Sequence, residues 1–435
     1  FSAKKSAIPE VLRCLADQDG HVRALAAETL ARIGDPSVAG DLFPLLADSD
    51  VRVAQAAIAA IQSLGSDETR TLAISATKAE SASIRRAALR ILSYFGGKKT
   101  FDAFAAALAD PDMRVREVAI QGLAYAEDPR GVDALLETLR SEHAKERAAA
   151  ARSLGQCTAA PRTTRALEEA LGDGDAWVRY YACQSLGRLK HGDASAKVAA
   201  LIGDTAGQVR VAAVEALSHM STDVAFRALC QAVKSSEPDV ERAALIGLGL
   251  AQKEESVPVL IDAVRHGDAA TRLVAVSALA GFSDAHVIPA WTLAARDTDQ
   301  AVRNAALGHL SNRSGADATN ALVGLLTGQG ADNGNVLSAL AVPVNDRIAT
   351  LLTALRQADD ELAPKLTSVL ARMRRPEASA ALLAAFDFSN SACRKAAASA
   401  LAALGSPDGI VALRRAAIDD HDPQLKQICS LLLAQ

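Results

Sequence analysis

Apolar residues return at one long interval from end to end of the chain. A single column holds Leu30, Ile61, Leu92, Leu123, Leu154, Leu186, Leu217, Leu248, Leu279, Leu310, Leu340, Leu370, Leu401 and Leu432, with successive members 30 to 32 residues apart. Around the first member, Val22, Ala26, Leu30 and Ile33 fall on one face of a helix. Gly34 then ends that helix and Asp35-Pro36 opens a turn, as Asp128-Pro129 does later. The surrounding phrase, roughly D-x-D-x-x-V-R-x-x-A-x-x-A-L-x-x-L-G, recurs at Asp17–Gly34, Asp110–Ala126, Asp173–Leu189 and Asp297–Arg313. A second phrase close to L-x-x-L-L-x-D follows it, as in Leu42–Asp48 and Val132–Leu139. Each interval therefore predicts two short antiparallel helices. One such pair cannot bury both its faces, but a stack of pairs can.

The pattern predicts an all-α fold: an α-solenoid, or superhelix, of about fourteen two-helix repeats with a period near 31 residues. It resembles the HEAT repeat, in particular the short form of phycobilisome-lyase-type proteins, over nearly the entire chain. The resemblance implies that the V-R helix lies on the inner, concave side and the L-x-x-L-L helix outside. It also implies a ladder of paired charges. Arg23, Arg85, Arg116, Arg147, Arg179, Arg210, Arg272, Arg303 and Arg394 form one column, and Asp19, Asp112, Asp175, Asp268 and Asp299 lie four residues ahead of an Arg. These Asp suit helix N-caps, and each Arg is expected to meet an Asp of its own or the neighbouring repeat. Glu241 interrupts the Arg column with Arg242 beside it, so that repeat should pair differently.

The array is not uniform. Residues 328–346 carry Gly328, Gly330, Asn333, Gly334, Asn335 and Pro343 and lose the V-R phrase. The expected organisation is a main solenoid over 1–327, an irregular joint over 328–346 and further repeats over 347–435.

Composition narrows the chemistry. Aromatic residues are 3% of the 435, so the core must be Ala, Leu and Val packed closely. Lys plus Arg number 47 against 51 Asp plus Glu, a net −4, which does not suit general nucleic-acid binding. Six scattered Cys without a C-x-x-C read as reduced thiols in a reducing, cytoplasmic setting. No charge-free run of 18 apolar residues suggests membrane insertion. The chain starts at Phe1 rather than Met, so residues upstream are expected.

No P-loop, G-x-S-x-G or H-E-x-x-H is present, and the eight His are dispersed, so no catalytic, cofactor or metal site is expected. Gly328, Gly330 and Gly334 have the wrong spacing and context for a nucleotide loop. Asp419, Asp420, His421 and Asp422 read as a solvated turn.

The remaining candidate is a protein-binding face. Counting from the V of V-R, offsets 2, 6 and 10 should form its exposed stripe. That gives Arg86, Arg90 and Tyr94 in the third repeat, and Glu117, Gln121 and Tyr125 in the fourth. The fifth gives Ala148, Arg152 and Gln156, and the sixth Tyr180, Gln184 and Arg188. All four Tyr of the chain lie in these repeats, with Trp177 adjacent. Tyr, Trp and Arg are the usual anchors of interfaces. The same stripe in repeats seven to ten, from Val211, Glu215 and His219 onward through Ile246 and Leu250, is blander and partly apolar. The expected function is a non-catalytic scaffold, adaptor or accessory subunit whose Tyr/Arg patch takes an acidic or extended segment of another protein. The resemblance also admits a bilin lyase/isomerase-like role or a nucleic-acid-binding HEAT-like one.

Overall fold

The computed structural model describes residues 6–327 and 333–434. Among them the secondary structure is helical throughout, an all-α solenoid. Fourteen helices carry the apolar column, or end one residue before it: Gly20–Ile33 (α1), Val51–Ser63 (α2), Ala82–Phe95 (α3), Met113–Leu123 (α4), Ala144–Leu154 (α5), Ala176–Arg188 (α6), Gly207–Ser218 (α7), Pro238–Ala251 (α8), Ala269–Ala278 (α9), Gln300–Asn312 (α10), Asn333–Leu340 (α11), Leu362–Met373 (α12), Ser391–Leu404 (α13) and Pro423–Leu433 (α14). A helix over Ile8–Cys14 precedes them, and a second helical segment follows each of α1 to α13. The column is the core: every member from Leu30 to Leu401 is buried, and Leu432 is half-buried.

Local chemistry sets the helix ends. Asp19, Asp50, Asp112, Asp175, Asp268 and Asp299 are N-caps whose carboxylates accept from backbone N–H groups of the first turn. Gly34 and Gly405 close their helices at φ 76° and 62°, a left-handed conformation that costs glycine nothing. Pro129, Pro161, Pro376 and Pro407 each sit at the first position of a following helix, where a missing N–H is harmless. Several following segments are less regular than the expected plain helix. Residues 36–47 run as a 3₁₀ turn, one α turn and another 3₁₀ turn, with Pro44 inside.

The chain divides into two compact units, 1–228 and 229–435. In the first, α1 to α7 pack side by side in sequence order; in the second, α8 to α14 do the same. Of the expected joint at 328–346, residues 328–332 lie outside the described residues, and 333–340 are helical as α11. The guanidinium of Arg347, wholly buried, sits beside it. It donates to the carbonyls of Leu310, Ser311, Arg313, Ala339 and Val342 at 2.8–3.4 Å, and to Thr319 Oγ1. Most of these carbonyls belong to the last turns of α10 and α11 or lie just beyond. Their unpaired oxygens and negative dipole ends take the place of a carboxylate.

Candidate partner-binding face

A repeated ion-pair device fixes neighbouring helices of each unit in register. Arg23 pairs with Asp48 at 2.8 Å, Arg85 with Asp110 at 2.7 Å, Arg147 with Asp173 at 2.8 Å, Arg179 with Asp204 at 2.7 Å and Arg272 with Asp297 at 2.6 Å. In each case Nε and Nη2 grip the two oxygens of one carboxylate of the following repeat. The remaining Nη1 donates to carbonyls five or six residues back in its own repeat, as from Arg147 to Ser141 and Glu142. Arg116 substitutes Glu146 for the Asp, and Arg394 uses Asp420. Thus the two Asp of D-x-D divide the work. The first pairs with the preceding Arg, and the second caps its helix. Direct hydrogen bonds from the guanidinium hold the carboxyls of Asp48, Asp110, Asp173 and Asp204 below the usual range, against the opposing effect of desolvation. In the interrupted repeat, Arg242 pairs instead with Asp239, one turn away on the same helix, at 2.7 Å.

Held in this frame, α3 to α6 present the expected stripe, with one correction. Ala148 is buried, because α5 is an alanine-lined helix packed closely between α4 and α6. Arg90, Tyr94, Tyr125, Arg152, Trp177 and Arg188 are exposed, whereas Arg86, Tyr180 and Gln184 are half-buried. The residues form two groups. On α3 and α4, Tyr94 meets Phe95 edge-on at 5.6 Å, and the Tyr125 carbonyl accepts from Gly97 N–H at 3.1 Å. Arg86 and Arg90 make no ion pair among the described residues.

The second group is more tightly built. Trp177 meets Tyr180 edge-on at 5.4 Å and lies tilted against Tyr181 at 6.1 Å; the two tyrosine rings are 5.1 Å apart. Arg152 reaches across from α5 to place its guanidinium 5.6 Å from the Tyr181 ring centre. Gln184 donates to the Tyr180 hydroxyl at 2.8 Å, which leaves that hydroxyl's proton free to point outward. Burial, then the nearby Glu215 charge, raise the Tyr180 hydroxyl above its ordinary value, so it remains a donor at neutral pH. Beyond Gln184 a groove of about 360 Å³ opens between α6 and α7, rimmed by Arg188, Lys190, Glu215 and His219. Gly187 lies in its floor, where a Cβ would come within 2.7 Å of Ala216 Cα. Tyr181 was not placed on the stripe, whereas Glu215 and His219 were, though without the groove they wall. Tyr181 sits one residue off it, and the wall belongs to a repeat whose stripe reads bland in isolation.

The other chemistry stays unremarkable in place. No group of three or more His, Cys, Asp or Glu among the described residues could hold a metal ion. Asp420 is taken by Arg394, and Asp422 caps α14. The glycine-rich stretch from Gly328 falls mainly outside the described residues. The six Cys are free thiols, and desolvation pushes Cys183 up to about 12. No described helix is long and apolar enough to cross a membrane.

A sequence model of the family described as HEAT repeats matches residues 2–62, 41–124, 70–155, 101–178, 163–249, 226–290, 257–341 and 348–434. The chain belongs to the HEAT-repeat family. Among solved structures it is similar to a Kap121p mutant, at 13% identity and TM-score 0.54, covering 99% of this chain and 57% of that one. It is similar to importin beta at 13% identity and TM-score 0.50, covering 99% and 73%. A HEAT-like neighbour of lower TM-score, 0.35, is the complex of CpcE and CpcF of phycocyanin lyase from Nostoc sp. PCC7120, at 20% identity over 53% of this chain and 94% of that one. The chain thus spans little more than half of Kap121p. At these identities the likeness is one of fold. No curated protein matches the sequence.

Proposed function

We propose that this HEAT array is a non-catalytic protein-binding scaffold, and that the exposed face of α3 to α6 is its docking surface. The observation that carries the reading is the Trp177–Tyr180–Tyr181 cluster with Arg152, Gln184 and Arg188 around it. In a chain with 3% aromatic residues, three contacting rings at the surface need a reason beyond core packing. Rigid aromatic area beside directed donors is what interface anchors consist of. Six free thiols suit a reducing compartment such as the cytoplasm.

The test is charge reversal on the face. Arg90→Glu, Arg152→Glu and Arg188→Glu are combined, and proteins recovered with the variant from the native source are compared with those recovered by the wild type. Loss of a stoichiometric partner is expected. Recovery of the same partners in the same amounts would overturn the assignment.

A further inference from the structure

We infer that the α5–α6 face is built for a proline-containing, extended segment with acidic residues beside it. This rests on the docking face proposed above and names what docks there. A helical array has no open sheet edge, so strand addition is unavailable. A docked helix keeps its backbone groups to itself and needs a long apolar trough. This face instead offers ring surfaces and donors. Trp177 is 51% exposed, and its indole N–H has no acceptor among the described residues. The Tyr180 hydroxyl has its proton free, and Arg188 projects a full fork of donors at the groove rim. A polyproline II segment is the complement: it has apolar rings, no N–H at its prolines, and carbonyls that form no internal hydrogen bonds.

The rings are also too close to one another to cage a free cation, and Arg152 already lies near Tyr181. Size agrees with the assignment. Trp177 to Arg188 runs about 16 Å along α6, a length matched by about five polyproline II residues. Arg188 and Lys190 at the groove rim, with Arg152 beside Tyr181, outnumber Glu215, which selects acidic flanks.

The test uses the full chain and three blocked peptides of equal length and charge: two Asp followed by a run of Pro, of Ala, or of alternating Gly and Ser. Binding is read by calorimetry and by tryptophan fluorescence. The only other Trp, Trp291, is buried against His309, so a fluorescence change reports Trp177. The proline peptide is expected to bind with a Kd below about 1 mM, and the other two about tenfold or more weaker. Trp177→Ala, at an exposed position, should weaken the proline peptide about tenfold by calorimetry with the helical circular dichroism unchanged. Equal binding of all three peptides, no binding of the proline peptide, or undiminished binding to Trp177→Ala overturns the inference. If the three bind equally and Arg152→Glu/Arg188→Glu abolishes them all, the docking face stands and only its preference for proline falls.

Discussion

Asp173 shows what one residue of the charge ladder does. Its two oxygens take Nε and Nη2 of Arg147 from the preceding repeat, and its Oδ1 also accepts the N–H of Asp175. Truncation to Ala leaves the half-buried guanidinium without its carboxylate. The expected cost is about 2 kcal/mol, read as a lower urea midpoint with an unchanged slope. Acid should have a related effect. The carboxyls of Asp48, Asp110, Asp173 and Asp204 titrate below their unfolded value, so their contribution is complete above the ordinary carboxylate range. It is lost as pH falls through the depressed folded values. The urea midpoint should therefore be flat near neutrality and fall once pH drops below the ordinary Asp range. A midpoint independent of pH through that window would show that the ladder carries no net stability. The Asp and Arg columns were legible in the sequence, and so was a pairing between an Arg and an Asp of its own or the neighbouring repeat, but which Asp was not. A phrase such as D-x-D-x-x-V-R offers two Asp per repeat, and only the stacking distance decides that the Arg reaches forward to the first Asp of the next.

At the scale of an element, α6 combines two demands that pull against each other. It must lie close enough to α7 to be held by the ladder, yet leave a groove beside Gln184. Gly187 reconciles them by removing a side chain where the helices cross. Gly187→Ala sets a Cβ against the Ala216 backbone, which cannot rotate away. A loss of about 1–3 kcal/mol is expected in thermal or urea unfolding, with weakened binding at the groove. Helical periodicity located the exposed stripe well because offset counting is a property of one helix. It failed at Ala148, and although it placed Glu215 and His219 on the stripe it gave no sign of the groove they wall, because burial and groove walls depend on the neighbouring helix. The apolar positions Ile246 and Leu250 on α8 are exposed, 51% and 60%, as their stripe predicted.

For the whole molecule, the repeat count and the fold could be read from one Leu column because every repeat solves the same packing problem. What could not be read is how an irregular repeat is held. Arg347 carries no ladder phrase. Its role emerges only when the ends of α10 and α11 converge on it in the second compact unit. Burial pulls its pKa down to about 10, which still leaves it charged at neutral pH. Arg347→Met removes the donors for five carbonyls and should cost about 3–5 kcal/mol. Hydrogen exchange should accelerate in α10 to α12 while protection in α3 to α6 is unchanged. Arg347→Lys should rescue little, since a single ammonium cannot serve two converging helix ends. Uniform acceleration across both units would contradict this local role.

The forward reach of each ladder Arg has a consequence for growth of the chain. The bidentate hooks of Arg23, Arg85, Arg147, Arg179 and Arg272 are each satisfied by a carboxylate of the next repeat, so an inserted repeat would meet the same partner. Duplicating residues 173–203 in tandem would give Arg147 the new Asp173, and each copy's Arg179 an Asp in front of it. The longer protein would also display the Trp177 cluster twice, one repeat apart. The two sites would not be equivalent: the first copy would face another α6 in place of the Glu215 and His219 wall, and the second would lack Arg152 beside it, so tandem ligands would gain avidity only as far as the rings themselves bind them.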